Sequence, residues 1–326
     1  MTACRARTRA LAALALLALL SGCASTGRPD TGTPSFAAAR PAGVQDPATP
    51  PAGGGAADTC NARASWRPPA SLPSPGQMPA GSTMAAIAQR GFLRVGVDQN
   101  TFLFGYRNPV SGQIEGFDVD VAKQVAKAIF GDENKVQLIA ITSDQRIPFI
   151  QQGTIDIVAH TMTINCDRRK LVDFSSVYYE AGQRVLVNRT STARGIADLG
   201  GKKVCAAAGS TSIQNIAANP AKPIPVSVPD WTDCMVMLQQ GQVEAISTDD
   251  TILTGMQQQD PDNTKLVGAK FTQEPYGLAI RLEQQDLVRF VNGVLEKMRR
   301  DGTLREINTT WLKENAPPVP SATYRD

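Results

Sequence analysis

The stretch HTMTINCDRRKLVDFS, residues 160–175, decides how the rest of the chain is read. It follows the apolar run Ile155-Asp156-Ile157-Val158-Ala159, a short strand. Beyond the strand end stand two hydroxyls, Thr161 and Thr163, then the guanidinium of Arg168, then the turn Asp173-Phe174-Ser175. A guanidinium presents a planar fork that holds both oxygens of a carboxylate, and nearby hydroxyls complete the hydrogen bonding. The stretch is suited to clamping a carboxylate.

Upstream, residues 93–97 (LRVGV) read as a buried strand that ends at Asp98. Gly116-Phe117-Asp118-Val119-Asp120 opens a helix whose early acids suit its positive end, and Val121, Val125 and Ile129 mark the buried face. Asp118 and Asp120 are read as helix-start acids rather than ligand contacts. Residues 136–141 form a second strand that runs into Thr142-Ser143-Asp144-Gln145-Arg146-Ile147-Pro148, and 155–159 form the third. A β-α-β-α-β run implies parallel strands with crossover helices, and ligands of such sheets sit beyond the carboxyl ends of the strands. Asp98, Ser143, Arg146, Thr161, Thr163 and Arg168 all follow strand ends, so the topology gathers them at one edge.

Residues 1–22 have the form of a secretory signal. Arg5, Arg7 and Arg9 precede an apolar run, residues 11–20, that is too short to span a bilayer. Leu20-Ser21-Gly22-Cys23 resembles a lipobox, so Cys23 is expected to carry a lipid. The formal charge is +3. Loss of a signal with three arginines and no acids leaves none, which removes the basic footprint a nucleic-acid partner needs. Residues 23–83, rich in Pro, Gly, Ala, Ser and Thr, are expected to form a flexible tether. Order against the domain is allowed only for its second half, around Cys60 and Trp66-Arg67-Pro68-Pro69. The tail after Ala316 is expected to be loose.

The order small-residue strand, T-x-T, D-R-R, D-F-S resembles the fingerprint of the extracellular solute-binding proteins for polar amino acids, and Gly116-Phe117-Asp118-Val119-Asp120 is a recurring feature of that family. The resemblance covers residues 91–313. It implies an α/β periplasmic-binding-protein fold with two lobes, each a mostly parallel sheet flanked by helices. The expected lobes are 84–182 with 273–326, and 183–272, joined by crossings near 179–184 and 272–277. Four cysteines remain after Cys4 and Cys23 are set aside, and they allow three connectivities. Cys205 and Cys234 share the second lobe and are expected to pair for about 3 kcal/mol, with Cys60 and Cys166 left as the other pair. No metal is expected, because there is one His and no C-x-x-C.

The resemblance places the α-carboxylate on Arg168 with Thr163, closed over by Ser210 and Thr211, where Gly209-Ser210-Thr211-Ser212 opens a helix. It places the α-ammonium on Asp249, with Asp250 left to cap the following helix. Thr142-Ser143-x-x-Arg146-Ile147-Pro148 resembles the T-S-x-N-R-I-P of glutamate/aspartate binders, so Ser143 and Arg146 are expected to take a side-chain carboxylate. Asp144 is a possible counter-charge to Arg146. Thr161 and Trp231 are further side-chain contacts, His160 is read as a satisfied buried histidine, and Arg169 and Lys170 as solvated charge. Ala206-Ala207-Ala208 lacks the basic residue some relatives carry there, which would admit glutamine or asparagine. The expectation is a monomeric, extracytoplasmic, lipid-anchored binding protein, with no cofactor and no catalytic residue. It would trap glutamate or aspartate and pass it to the membrane permease of an ABC importer. The rival readings are a sensor for a transmembrane signalling partner and a cyclohexadienyl-dehydratase-like enzyme on the same fold.

Overall fold

The computed structural model describes residues 39–50, 60–313 and 316–326. The signal segment and Cys23 lie outside the described residues. From Arg40 to Asp326 the chain belongs to one unit, built around two five-stranded sheets.

The first sheet has the spatial order Val136–Ala140, Leu93–Val97, Ile157–Ala159, Ala279–Ile280, Asp173–Phe174. Its first three strands are parallel, and Ala279–Ile280 runs antiparallel to both neighbours. Leu93, Val95 and Val97 are fully buried, as expected for a central strand covered on both faces. The helix Phe117–Phe130 lays Val121, Val125 and Ile129 onto this sheet, all fully buried, each contributing about 1.5–3 kcal/mol. The helix starts at Gly116, where φ is 144° and a Cβ would stand 2.2 Å from the Phe104 carbonyl oxygen, so only glycine fits. The long helix Gln285–Asp301 packs into the same core.

The second sheet has the order Ile224–Val228, Lys203–Ala207, Ala245–Asp249, Gln183–Asn188, Thr264–Val267. Its first three strands are again parallel, and Gln183–Asn188 is antiparallel to both neighbours. Its core is separate from the first. The chain passes between the sheets at Tyr179–Ala181 and returns at Glu274–Tyr276, and these two strands pair antiparallel. Disulfides join Cys205 to Cys234, from strand to helix within the second lobe, and Cys60 to Cys166.

Residues 45–48 and the C-terminal tail, expected to be loose, are folded, and the stretch from Cys60, for which order against the domain was allowed, is ordered. Gln45 exchanges backbone hydrogen bonds with Ser227 (2.9 and 3.0 Å), and the Ala48 N–H donates to the Pro225 carbonyl (2.7 Å). Residues 45–48 thereby cover the edge of the second sheet, with Asp46 held by Lys203 (2.7 Å) and Arg40. Residues from Cys60 onward attach to the first lobe. Ala64–Trp66 pairs with Thr323–Arg325 of the tail, the Ser65 hydroxyl donates to the Phe174 carbonyl (2.7 Å), and the Trp66 indole donates to Asp173 (2.6 Å). Composition alone suggested a tether at residues 45–48 and a loose tail. The order comes from unsatisfied sheet edges elsewhere in the chain, which local pattern does not reveal.

Candidate functional site

The candidate clamp residues are brought together from strand ends on both lobes. After Ile157–Ala159 the chain makes a tight passage in which Thr161 adopts φ 43°, a costly conformation for a β-branched residue. It is held there by Asp118, whose Oδ2 accepts the Thr161 N–H (2.6 Å) while Oδ1 accepts the Tyr178 hydroxyl (2.7 Å). Asp118 is therefore more than a helix-start acid. Its carboxyl is buried against the first lobe and supports the loop that carries both threonines.

Burial pushes the Asp118 carboxyl up to about 7, against the pull of its two hydrogen-bond donors. A raised carboxyl contributes stability that is fully present below the ordinary carboxylate range, near 4, and is lost as the pH rises toward 7. Chemical denaturation of the ligand-free protein from pH 4 to 8 should show this loss, on the order of a few kcal/mol. Asp118→Asn should reduce the slope, and Asp249, raised in the same sense, should keep part of it. A variant with the wild-type slope would remove Asp118 as the cause.

Arg168 lies in the short helix Cys166–Arg169, whose N-cap Asn165 accepts the Arg168 N–H (2.8 Å). Its side chain is buried, with Nη1 donating to the Thr163 carbonyl (2.7 Å) and Nη2 to the Gly209 carbonyl of the other lobe (3.1 Å). Arg146 arrives at the same carbonyl from the second strand end. Its Nε donates to Ser143 O (2.8 Å), Nη1 to His160 O (3.0 Å) and Nη2 to Gly209 O (3.3 Å). Burial, then the charge of Arg168, pulls the Arg146 guanidinium down to about 9, still cationic at neutral pH. Gly209 has φ +71°, and a Cβ there would stand 2.6 Å from the Asp144 Cα, so the lobes meet backbone to backbone.

Asp249 faces the two guanidiniums from the second lobe. Oδ2 accepts the Tyr276 hydroxyl (2.5 Å), while Oδ1 is buried without a partner. Burial, with the charge of Glu274 nearby, pushes its carboxyl well above the usual range. Ser210 is the N-cap of the helix Thr211–Ala218, donating to Ala207 O (2.7 Å) and accepting from the Ile213 N–H (3.3 Å). The Thr211 hydroxyl donates to Glu274 on the returning hinge strand (2.9 Å).

Arg146, Thr161, Thr163, Arg168, Ser210, Thr211, Trp231 and Asp249 line one cavity of about 10 Å³, together with Ser212, Thr248 and Ile252. Ser143 does not join them. It lines an adjoining groove with Asp144, Asn165 and Gly209, and its carbonyl serves Arg146. Ser212 and Thr248, hydrogen-bonded to each other (3.0 Å), were not singled out in the sequence, although each adjoins a residue that was.

Other expectations change. Asp144 accepts from the Thr142 hydroxyl instead of pairing with Arg146. Asp250 does not cap its helix. It accepts the Gly182 N–H (3.1 Å) and pairs with Lys270 (2.8 Å). Arg169 is not solvated: its side chain is 6% exposed and binds Asp173 (2.9 Å) and the Ala62 carbonyl (2.6 Å). His160 is buried but only half satisfied, with Nε2 at 2.9 Å from Ile141 O and Nδ1 unpartnered. Among the described residues no cluster of His, Cys, Asp and Glu is arranged to hold a metal.

Residues 93–314 match the family described as bacterial extracellular solute-binding proteins, family 3. The chain is 45% identical over 234 residues to the ABC transporter glutamine-binding protein GlnH of Bacillus subtilis, covering 72% of this chain and 85% of that protein. It is 31% identical over 263 residues to the glutamate-binding protein GluB of Corynebacterium glutamicum, covering 77% and 88%. A solved structure of an ancestral arginine-binding protein bound to glutamine is similar with a TM-score of 0.65 and 36% identity, covering 69% of this chain and 99% of that one.

Proposed function

Because the chain belongs to the bacterial extracellular solute-binding proteins of family 3 and its similar relatives are substrate-binding proteins of transporters, we propose that it traps a polar amino acid, glutamine ahead of glutamate, and hands it to the permease of an ABC importer. The observation that carries this reading is the unpartnered Oδ1 of buried Asp249 facing Arg168 across one cavity. A zwitterion supplies the missing partner of Asp249 with its ammonium and offers its carboxylate to the Arg168 guanidinium, in a site dry enough for the charges to count. The cavity of about 10 Å³ has room for no more than a water, so the ligand enters with the lobes apart and takes the place of the Gly209 carbonyl on the guanidiniums.

The preference for an amide follows from charge. Asp98 acts electrostatically on Arg146, and Arg146 already donates to three backbone carbonyls. With Arg168 and Asp249 matched to the zwitterion, no cation is left unbalanced for a side-chain carboxylate. This reverses the order expected from the Thr142-to-Pro148 motif, and the glutamine in the name of the 45%-identical relative agrees with it. Attachment to the membrane through a lipid on Cys23 belongs to the same proposal.

Thermal denaturation against each of the twenty amino acids tests it. At a hundredfold over the dissociation constant, a ligand adds about 2.7 kcal/mol. For a protein of this size that is a shift of about 5–10 °C. The expected result is the largest rise with glutamine. A rise confined to glutamate and aspartate would restore Arg146 as the receiver of a second carboxylate, and no rise with any amino acid would overturn the reading.

A further inference from the structure

The chain has three tryptophans, and their indole N–H groups are treated differently. Trp66 donates to Asp173 (2.6 Å) and Trp311 to Asp120 (2.8 Å). Trp231 is 4% exposed, lines the ligand cavity, and has no partner for its Nε1–H. An indole N–H can only donate, and leaving a buried donor unpaired is costly. The second cavity atom in that position is Asp249 Oδ1, an acceptor. One wall therefore holds an unused donor and an unused acceptor.

Resting on the proposed amino-acid reading, we infer that Trp231 is a specificity-determining residue whose indole N–H donates to the side-chain oxygen of the bound amino acid. The order of strands supports the assignment. Asp249 ends Ala245–Asp249, Ser210 follows the neighbouring Lys203–Ala207, and Trp231 follows the edge strand Ile224–Val228. Strands lie about 4.8 Å apart, so Trp231 stands about 10 Å along the sheet edge from Asp249. With the ammonium at Asp249 and the carboxylate at Ser210 and Arg168, the side chain is directed toward Trp231. The ligand class this selects is an amino acid whose side chain ends in a carbonyl or carboxylate oxygen. A hydrocarbon or thioether of equal length would bury the N–H unpaired. The contact separates glutamine from methionine and does not separate glutamine from glutamate. That second choice stays with the charge balance at Arg146.

The test is Trp231→Phe, which keeps an aromatic wall while removing the donor together with one ring, with glutamine and methionine titrated into wild type and variant so that methionine reports the lost packing. Glutamine affinity should fall about tenfold or more while methionine affinity holds or rises, so their ratio collapses by at least tenfold. An equal loss for both ligands, or no change in the ratio, would reduce Trp231 to a wall and overturn the inference while leaving the amino-acid reading intact. A wild-type protein that binds neither ligand nor any other of the twenty amino acids would overturn the amino-acid reading itself. If the variant does not fold, indole ¹⁵N–H spectra of the wild-type protein decide. The Trp231 signal should shift with glutamine and stay with methionine, and a signal that moves equally with both would end the proposal.

Discussion

The Arg168→Ala protein is expected to lose amino-acid binding by about 10²–10³-fold while melting within a few degrees of wild type. The loss follows from burial. The ligand carboxylate would enter a water-excluded site with its main charge partner missing, and an unpaired buried charge costs about 3–5 kcal/mol. The retained stability follows from the same burial. The Arg168 guanidinium is itself pulled down by desolvation, so its removal relieves a cost in the ligand-free fold even as it gives up hydrogen bonds to Thr163 and Gly209. Calorimetric titration with glutamine checks it. Arg146→Ala is the useful comparison, because on the amide reading it is the weaker of the two. Unchanged affinity in Arg168→Ala would remove the clamp from this arginine.

Replacing both Cys60 and Cys166 by serine should lower the melting temperature by about 10 °C or more. The bridge closes a sequence separation of 106 residues, against 29 for Cys205–Cys234. In the chain-entropy model a loop of about 100 residues is worth about 4.7 kcal/mol. At about 2–4 °C per kcal/mol that is the larger of the two disulfide effects. Function should suffer as well. Cys166 opens the helix that carries Arg168, and Cys60 begins the stretch bound to the first lobe. Scanning calorimetry with and without glutamine separates the two effects, and an unchanged melting temperature would show that docked contacts alone hold residues 60–66.

Much of this was legible in the sequence because it is written in local pattern. The buried run at residues 93–97, the i, i+4, i+8 face of Val121, Val125 and Ile129, and the T-x-T-to-Arg168 spacing each depend on neighbours within a turn or a strand. What the sequence left unread shares a different cause. Arg169 looked solvated because its partners, the Ala62 carbonyl and Asp173, meet it only in the folded lobe. Asp118 looked like a helix-start acid because Thr161, the peptide it supports, lies 43 residues away. Asp250 looked like a cap because its real partners are Gly182 and Lys270, at the two crossings between the lobes. The order of residues 45–48 and of Thr323–Arg325 is invisible to periodicity, since each completes an edge supplied by a distant segment.

The covering of the Ile224–Val228 edge by residues 45–48 has a consequence apart from ligand capture. Every residue lining the cavity lies within 93–314, so a chain begun at Cys60, which retains the Cys60–Cys166 bridge, would keep the whole binding apparatus. It would also lay bare a strand whose N–H and C=O groups invite pairing with another copy. The leader that looks like a spacer thus carries the chain's protection against self-association, and its substitutions would register as lost solubility long before any titration detected them.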